Sequence, residues 1–316
     1  MILIISEQND PSTNEVINWL LAMGKKFIRI NAEDDLVVSD FSNTEIGGID
    51  FVLSTRTISV RYSDVLSVWY RRGELKIKDI PAFKNELLTF YLEKEKETLQ
   101  DFIEFAFQIK EKIIGNFQST VNKLKVLHTA KNVGLKTPDT YIINSKSELN
   151  SIFKKHKSFI SKSIFECCPV RDENNQYELT NKTSRIRSNL VETVPSNFFY
   201  TLIQKEIEKS FEIRAFYIHG SIYAAAMLTQ DNEKTSVDYR NYDDDKPTRT
   251  IPFDLPQEII DKLKKLMVNL DLNTGSFDLI YSNDEYIFLE VNPVGQFGMV
   301  SYPCNHYLEK LIAEKL

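Results

Sequence analysis

The chain has 316 residues, enough for two or three packed units. Its 42% apolar and 27% charged residues are typical of a globular protein, and its net charge of −6 excludes a general basic surface for nucleic acid. An anionic ligand must therefore be met by a local group of basic residues. No apolar segment approaches the roughly 20 residues of a membrane-spanning helix, so no membrane partner is expected.

The cysteines and the N-terminus indicate a cytoplasmic protein. Cys167 and Cys168 are adjacent and Cys304 is distant, so neither a disulfide framework nor a C-x-x-C zinc site is indicated. The apolar run at 1–5 is too short for a signal peptide and predicts a first buried strand instead.

The N-terminal part of the chain alternates short apolar runs with a helical pattern. A helix signal at 12–14 lies between the first two runs, and this strand–helix–strand order predicts a small open sheet. Helical spacing from Ala82 to Ile114 then predicts one long or broken helix that leaves the first domain. The predicted strands of this part are 2–6, 27–30, 51–54 and 65–72.

The rest of the chain mixes strands and helices, so the predicted fold class is α/β (α+β). Ser119 is a candidate N-cap for a helix that covers 121–132 and ends at Gly134. The polar segment 167–189 predicts an exposed hairpin or flap, and 231–249 predicts a charged loop. Further strands are predicted at 140–143 and 159–164 and in an antiparallel meander of 199–204, 212–218 and 221–228, with helices at 148–153, 257–270 and 307–315.

Three oxygen-bearing side chains interrupt apolar runs near the C-terminus. Asp278 lies in one predicted strand, and Glu290 and Asn292 lie in the next, across a polar turn. Because Glu290 and Asn292 are two residues apart, they face the same side, and Asp278 can face them across the hairpin. Buried carboxylates are costly without hydrogen bonds or cations. The pattern favours a hard-oxygen site for Mg²⁺ carried by a phosphate ligand over a tight hairpin with surface polar residues.

The same segments resemble the metal-binding end of the ATP-grasp ligases. The resemblance rests on D-L-I at 278–280 and F-L-E-V-N-P-V-G-Q at 288–296, and it extends along the chain. It is strongest to the microviridin-type or graspetide ligases, which macrocyclise ribosomal peptides, and the tail 298–305 resembles their grasp-with-spasm peptide maturase branch. The resemblance implies an ATP-grasp fold with an N-terminal pre-ATP-grasp domain at 1–115, a central domain at 116–195 and a C-terminal nucleotide- and metal-binding domain at 196–316.

Two lysines match positions that hold nucleotide phosphates in this family. Lys123 begins an ordered pattern that continues through Ala130 to G-L-K-T-P-D-T at 134–140, and Lys162 interrupts a predicted buried strand. For Lys123, phosphate binding and a solvated helix lysine stay equally open. For Lys162, phosphate binding is favoured over an edge-strand lysine that guards against aggregation.

A further segment resembles the hinge that holds adenine in these enzymes. Backbone N–H and C=O groups bind the base there, so the identity of the side chains matters little. The alternative is that the segment is only the end of a strand. The residues concerned are Gln204, Lys205, Glu206 and Ile207.

Two arginine motifs complete the reacting centre that the resemblance implies. In E-I-R, Glu212 would accept a hydrogen bond from a ribose hydroxyl, and Arg214 would hold phosphate or carboxylate with its rigid fork. The alternative is a surface ion pair. Asp238-Tyr239-Arg240 resembles the D-W-R of microviridin-type ligases, with tyrosine in place of tryptophan. Arg240 would be the second guanidinium at the centre, oriented by Asp238, the alternative being an arginine in a charged loop.

Two other features match the family but also have simpler explanations. The run from Val68 to Arg72 resembles its W-x-R-R signature, so Arg71 and Arg72 would bind an acidic substrate side chain; two surface arginines after a core strand fit as well. The flap at 167–189 lies where these ligases carry a hairpin that grips a leader peptide, and a mobile solvated loop fits equally.

The resemblance implies an ATP-dependent carboxylate ligase that forms ester or amide crosslinks within a ribosomal precursor peptide through an acyl phosphate. ATP and two Mg²⁺ ions would be its cofactors. The partner would be a precursor with a leader and an acidic and hydroxyl core, and a homodimer is compatible. The alternatives are a RimK-like ligase that adds a free amino acid and a non-catalytic nucleotide-binding module; the complete set of three oxygen ligands argues against the module.

Overall fold

The computed structural model describes residues 1–79, 84–117, 121–156, 158–165, 170–171, 178–179, 183–187, 189–228 and 248–316. The chain divides into two compact units, each made of separate stretches. The first comprises Met1–Ser119, Leu272–Gly275 and Pro293–Leu316, and the second comprises Thr120–Asp271 and Ser276–Asn292. No helix among the described residues is long and apolar enough to cross a membrane. The division into three domains given above stays a prediction.

The described strands and helices are numbered in chain order. The strands are β1 (Ile2–Ser6), β2 (Phe27–Asn31), β3 (Val37–Thr44), β4 (Gly48–Ser54), β5 (Ser59–Arg61), β6 (Ser67–Tyr70), β7 (Ile113–Ile114), β8 (Thr140–Ser145), β9 (Phe159–Lys162), β10 (Val170–Arg171), β11 (Glu178–Leu179), β12 (Ser184–Ile186), β13 (Asn197–Lys205), β14 (Phe211–Ile218), β15 (Ser221–Leu228), β16 (Arg249–Phe253), β17 (Thr274–Ser282) and β18 (Glu285–Asn292). The helices are α1 (Pro11–Ala22), α2 (Glu86–Gln108), α3 (Lys123–Asn132), α4 (Lys146–Phe153), α5 (Leu190–Thr193), α6 (Gln257–Asn269), α7 (Gly298–Cys304) and α8 (Leu308–Lys315).

A parallel sheet with the order β2-β1-β6-β7 forms the centre of the first unit. All five residues of β1 are buried, as expected for a strand with a neighbour on either side. Between β1 and β2 the chain forms α1, whose N-cap Asp10 accepts from the Thr13 N–H at 3.1 Å and whose first residue is Pro11. The predicted strand–helix–strand order is therefore confirmed.

The long helix of the first unit is shorter than predicted. It ends at Gln108, and Ile113–Ile114 form β7, which pairs with β6. The next residue, Gly115, has a φ of +102°, and a Cβ there would lie 2.0 Å from the Tyr70 carbonyl oxygen. Only glycine allows such a close approach, and it lets the chain turn sharply here. The turn follows strand β7, whereas the prediction had a helix extending to Ile114. A second, antiparallel sheet of β3, β4 and β5 was predicted only in part, at 51–54.

The second unit contains two larger sheets, with the orders β12-β9-β13-β8 and β16-β15-β14-β17-β18. The predicted meander is wrong for its first strand, because β13 pairs with β8 and β9 while β14 pairs with β15. Alternating apolar residues fit any neighbouring strand, so the pattern could not tell which sheet β13 joins. Arg249, predicted in a loop, begins β16, which pairs with β15.

The short strands β10 and β11 pair antiparallel, which agrees with the predicted hairpin as far as the described residues extend. Helix α3 begins at Lys123 and is capped by Asn122. The candidate cap Ser119 and the residues Cys167 and Cys168 lie outside the described residues, as do Asp238, Tyr239 and Arg240.

Candidate active site

The hairpin of β17 and β18 brings the predicted oxygen ligands together. Asp278 is the register partner of Glu290, and Ser276 is the partner of Asn292. The register shifts by one residue between Asp278 and Leu279, because Leu279 pairs with Phe288 and Leu289 is an extra residue in β18. This bulge separates the opposed carboxylates of Asp278 and Glu290 from Phe288, which is fully buried.

Arg214 neutralises one of these carboxylates. Its Nη1 donates to Asp278 Oδ1 at 2.5 Å, and the two side chains are 5% and 10% exposed. Asp278, Glu290 and Asn292 together still offer two carboxylates and an amide oxygen, which are ligands suited to a hard divalent cation. Among the described residues, no group of three or more His, Cys, Asp and Glu side chains forms a metal cluster, so Mg²⁺ here would depend on Asn292 and on phosphate oxygens as well.

The two predicted phosphate lysines lie on neighbouring elements. Lys123 is the first residue of α3, where the Asn122 side chain accepts from the N–H groups of Leu124 at 3.0 Å and Lys125 at 3.1 Å. Lys123 Nζ donates to the Ser163 carbonyl oxygen at 3.4 Å, immediately after β9, the strand that ends at Lys162. The positive end of the helix and two lysines thus converge where an anion would be stabilised.

One open cleft joins the lysines to the oxygen cluster. It is a shallow cleft whose roughly 360 Å³ of space is largely open to solvent. Lys123, Lys162, Gln204 and Glu290 all line it. Its remaining lining is apolar and comprises Val121, Val126, Leu127, Leu202, Leu289 and Val291. The cleft therefore combines apolar walls with two cations and one carboxylate.

The predicted hinge residues are held by hydrogen bonds from their neighbours. Gln204 is buried and its Nε2 donates to Thr140 Oγ1 at 3.0 Å. The Lys205 N–H donates to the Asp139 carbonyl at 2.9 Å, and the Glu206 N–H donates to the Ser158 carbonyl at 3.1 Å. These two N–H groups already have acceptors, so adenine recognition by this segment must use other backbone groups.

The partly buried Glu206 side chain is held by two partners. It accepts from Arg185 Nε at 2.8 and 3.0 Å through its two oxygens, and from the Ser158 hydroxyl. Burial raises the pKa of Glu206, but the hydrogen bonds from Arg185 and Ser158 together lower it by more than burial raises it. The pKa therefore lies below the ordinary value of 4.5. Arg185 thus supports the hinge from the neighbouring strand β12.

Several residues of this site had weaker sequence signals. Val126 and Leu127 follow Lys123 at helical spacing, and Leu202 precedes Gln204 by two residues on one strand, so these periodicities could have indicated a shared face. Arg185 had no such signal, because its contact with Glu206 joins residues whose proximity depends on the fold.

In the first unit, Arg71 is engaged by its own surroundings. Its Nη1 donates to the carbonyl oxygens of Val294 at 2.6 Å and Gly295 at 3.3 Å, and its Nε lies 3.2 Å from Asp10 Oδ2. Burial lowers the pKa of Arg71 to about 10, which still leaves it charged at neutral pH. These contacts favour a structural role for Arg71. Arg72 keeps 28% of its side chain exposed, with its Nε 2.8 Å from Asp10 Oδ2.

Similar proteins were found by comparison with solved structures and not by comparison of sequences. No protein-family model matches the sequence, and no curated protein matches it. The macrocyclase MdnC of Microcystis aeruginosa, solved with its precursor peptide MdnA, has a TM-score of 0.76 and 25% identity over 99% of this chain and 98% of that chain. A RiPP-associated ATP-grasp ligase of Chryseobacterium gregarium has a TM-score of 0.79 and 22% identity over 99% and 94%. The macrocyclase MdnB of Microcystis aeruginosa has a TM-score of 0.72 and 20% identity over 99% and 97%.

These similarities show that the chain has the ATP-grasp fold over nearly its whole length, as the sequence predicted. The predicted resemblance to ATP-grasp peptide ligases of the graspetide type is likewise confirmed. The roles of individual residues stay predictions.

Proposed function

We propose that this protein is an ATP-dependent carboxylate ligase that forms ester or amide crosslinks between side chains of a ribosomally made precursor peptide. The observation that carries the proposal is the cleft in which Lys123, Lys162, Gln204 and Glu290 meet. The similarity to MdnC, a macrocyclase solved with a precursor peptide, supports a peptide substrate. The Chryseobacterium ligase was solved with ADP and with a leader and core peptide, which supports ATP use.

In the proposed reaction a peptide carboxylate oxygen attacks the γ-phosphorus of ATP, and ADP leaves. A hydroxyl or amine of the same peptide then attacks the acyl phosphate carbon and displaces phosphate, so one water is lost from the peptide per crosslink. Phosphorylation is needed because the oxide of a free carboxylate is too basic to leave. Most of the catalysis of phosphoryl transfer consists of positioning and of neutralising charge on the transferred group.

The chain supplies these functions through separate residues. Lys123 and Lys162 would hold phosphates, and Arg214 would neutralise charge on the phosphoryl group and the substrate carboxylate. Asp278, Glu290 and Asn292 would bind two Mg²⁺ ions, whose role is to neutralise phosphate oxygens. The related ligase PsnB, at 14% identity, was solved with Mg and ADP.

The finer parts of the proposal come from the sequence. They are a microviridin-like enzyme of the grasp-with-spasm branch, a substrate core rich in acidic and hydroxyl residues, a cytoplasmic location and a homodimer. Arg240, outside the described residues, would supply the second guanidinium at the reacting centre.

The test uses the purified chain, ATP, Mg²⁺ and the peptide encoded beside its gene, if that peptide carries acidic and hydroxyl residues near its C-terminus. The expected product, followed by mass spectrometry, has lost one water per crosslink while ADP accumulates in equal amount. The double variant Glu290→Gln/Asn292→Ala should fold but form no ADP, because the cation-binding oxygens are gone. Loss of one preorganised charge-stabilising group slows such reactions by about 10²–10³-fold.

Other outcomes would contradict parts of the proposal. A mass gain equal to an amino acid would identify a RimK-like ligase, a class represented by a more distant structural neighbour with a TM-score of 0.53. Normal ADP formation by the double variant would refute the assignment of the metal ligands. Nucleotide binding without turnover on any peptide would favour a non-catalytic module.

A further inference from the structure

Ser276 carries a buried hydroxyl group beside the proposed metal ligands. Its side chain is fully buried, and among the described residues its Oγ has no hydrogen-bond partner. Burying a hydroxyl without a partner costs free energy, because the hydrogen bonds that it makes to water are lost. The hydroxyl therefore does not stabilise the chain by itself, and the proposed reaction does not use it.

The register of the β17–β18 hairpin places Ser276 directly opposite Asn292. The next pair on the same face, two residues away on each strand, is Asp278 and Glu290. Glu290 lines the cleft, so Ser276 and Asn292 belong to the face of the hairpin that carries the oxygen ligands. Opposed residues of antiparallel strands have Cβ atoms about 4.5–5.5 Å apart, so a serine hydroxyl can reach an asparagine amide across such a pair.

An asparagine amide binds a cation in only one of its two orientations. The carbonyl oxygen Oδ1 can bind Mg²⁺, whereas the Nδ2 group carries two N–H donors and would repel it. Side chains that bind metals are commonly held in the correct orientation by hydrogen bonds to neighbouring groups. When Asn292 Oδ1 binds the cation, Nδ2 needs an acceptor, and the hydroxyl oxygen of Ser276 can accept that hydrogen bond.

We propose that Ser276 is a positioning residue of the metal site, whose hydroxyl accepts a hydrogen bond from Asn292 Nδ2 and thereby holds Asn292 Oδ1 towards Mg²⁺. This proposal rests on the proposed ATP-dependent function. It gives the buried hydroxyl a partner when the cation is bound. Removal of the hydroxyl should therefore have opposite effects on the two states, because the metal-free chain loses an unsatisfied group while the metal site loses a support.

The first measurement is calorimetric titration of the full chain with ADP, in EDTA and in saturating Mg²⁺. Mg²⁺ should tighten ADP binding by the wild type by about tenfold or more, within the usual range of coupling between two ligands. Ser276→Ala should leave the affinity in EDTA unchanged but remove most of the Mg²⁺ effect, since loss of such a supporting group typically weakens metal binding by about tenfold or more. Ser276→Ala/Asn292→Ala should lose no more than Asn292→Ala alone, because both substitutions act on one interaction.

The second measurement is denaturant unfolding of the same variants in EDTA and without nucleotide. Ser276→Ala should not lower the midpoint, because the hydroxyl that it removes has no partner among the described residues. Ser282 provides the matched control on the same strand, since it is also buried but its Oγ donates to the Glu208 carbonyl at 2.5 Å. Ser282→Ala should lower the midpoint and leave the effect of Mg²⁺ on ADP binding unchanged.

An undiminished effect of Mg²⁺ in Ser276→Ala would overturn this inference alone and leave the proposed function standing. A lower midpoint for Ser276→Ala, with ADP binding weakened equally in EDTA and in Mg²⁺, would make Ser276 a structural residue. A double variant that is weaker than Asn292→Ala would show that the hydroxyl does not act through Asn292.

Two results for the wild type would remove the inference together with its basis. ADP binding that is the same in EDTA and in Mg²⁺ would refute the assignment of the metal ligands. A wild type that binds no ADP under either condition would refute the proposed function.

Discussion

Charged side chains of the second unit pair with partners that lie far away in the sequence. Arg214 meets Asp278 and Arg185 meets Glu206. Sequence reasoning could single out Glu212, Arg214 and Asp278, because charges within apolar strands are costly unless compensated. It could not identify Arg185, because only the pairing of β12 with β9 brings that residue to the hinge.

The Arg185–Glu206 pair predicts a pH-dependent contribution to stability. The pKa of Glu206 is lower in the folded chain than its ordinary value of 4.5, so the unfolded chain binds more protons as the solution is acidified. The stabilisation is therefore complete above pH 4.5 and is lost as the pH falls through the lowered pKa of the folded state. Because the pair is partly exposed, we expect it to contribute about 1 kcal/mol or less.

The measurement is thermal unfolding of the wild type and of Glu206→Gln at a series of pH values. The difference in stability should be present at neutral pH and shrink in acid. Arg185→Gln removes the same pair from the other side and should give the same pH profile. A difference that grows as the pH falls would show that the pair does not lower the pKa of Glu206.

At the scale of elements, local patterns located most helices and strands but could not assign partners to the strands. Helix α3 was predicted from apolar spacing and from Gly134 at its end, and the structure agrees to within two residues at its start. Strand β13 was also located, yet its sheet was wrong, because register and partner depend on contacts distant in sequence. The α3 cap was assigned to Ser119, although Asn122 makes the capping bonds.

The caps of α2 and α3 provide a matched pair of substitutions. Asn122→Ala should lower the free energy of unfolding by about 1 kcal/mol, since it removes the acceptor for two N–H groups at the start of α3. It should also weaken ADP binding, because the next residue, Lys123, lines the cleft. Asn85 caps α2 through the N–H groups of Leu87 at 3.0 Å and Leu88 at 3.2 Å.

Asn85→Ala should therefore cost a similar free energy of unfolding and leave ADP affinity unchanged. Denaturant unfolding and calorimetry on the same preparations give both quantities. If both variants weaken ADP binding equally, the effect of Asn122 is one of general stability rather than of the start of α3.

At the scale of the whole molecule, the first unit is built from both ends of the chain. Ser67 Oγ donates to the Leu316 carbonyl at 2.9 Å, and Lys25 Nζ donates to the Ala313 carbonyl at 2.8 Å. The sequence predicted β1, α1, β2, β6, α2 and α8 of this unit and part of β4. Contacts across more than two hundred residues leave no local signature. The hydrogen bond from Arg71 to Val294 is one of these long-range contacts. The next residue, Arg72, has a partly exposed side chain and serves as the comparison.

Arg71→Met should lower the free energy of unfolding of the first unit by about 2–3 kcal/mol, because it removes a buried charged donor from the Val294 carbonyl and leaves Asp10 with Arg72 as its cation. Arg72→Met should cost about 1 kcal/mol or less, since its side chain is partly solvated. Denaturant unfolding monitored by the fluorescence of Trp19 and Trp69, both in this unit, measures each change. Equal costs for the two variants would mean that Arg71 is no more important to the unit than Arg72.

The bulge in β18 gives this site one position that can change independently of its neighbours. Leu289 is the residue added between Phe288, which belongs to the core, and Glu290, which faces Asp278. Its side chain lines the cleft, while the pairing on either side of it is set by other residues. Substitutions at 289 can therefore alter the size of the cleft without shifting the strand, so this is where related enzymes, or directed evolution, can adapt the site to a new ligand at little risk to folding.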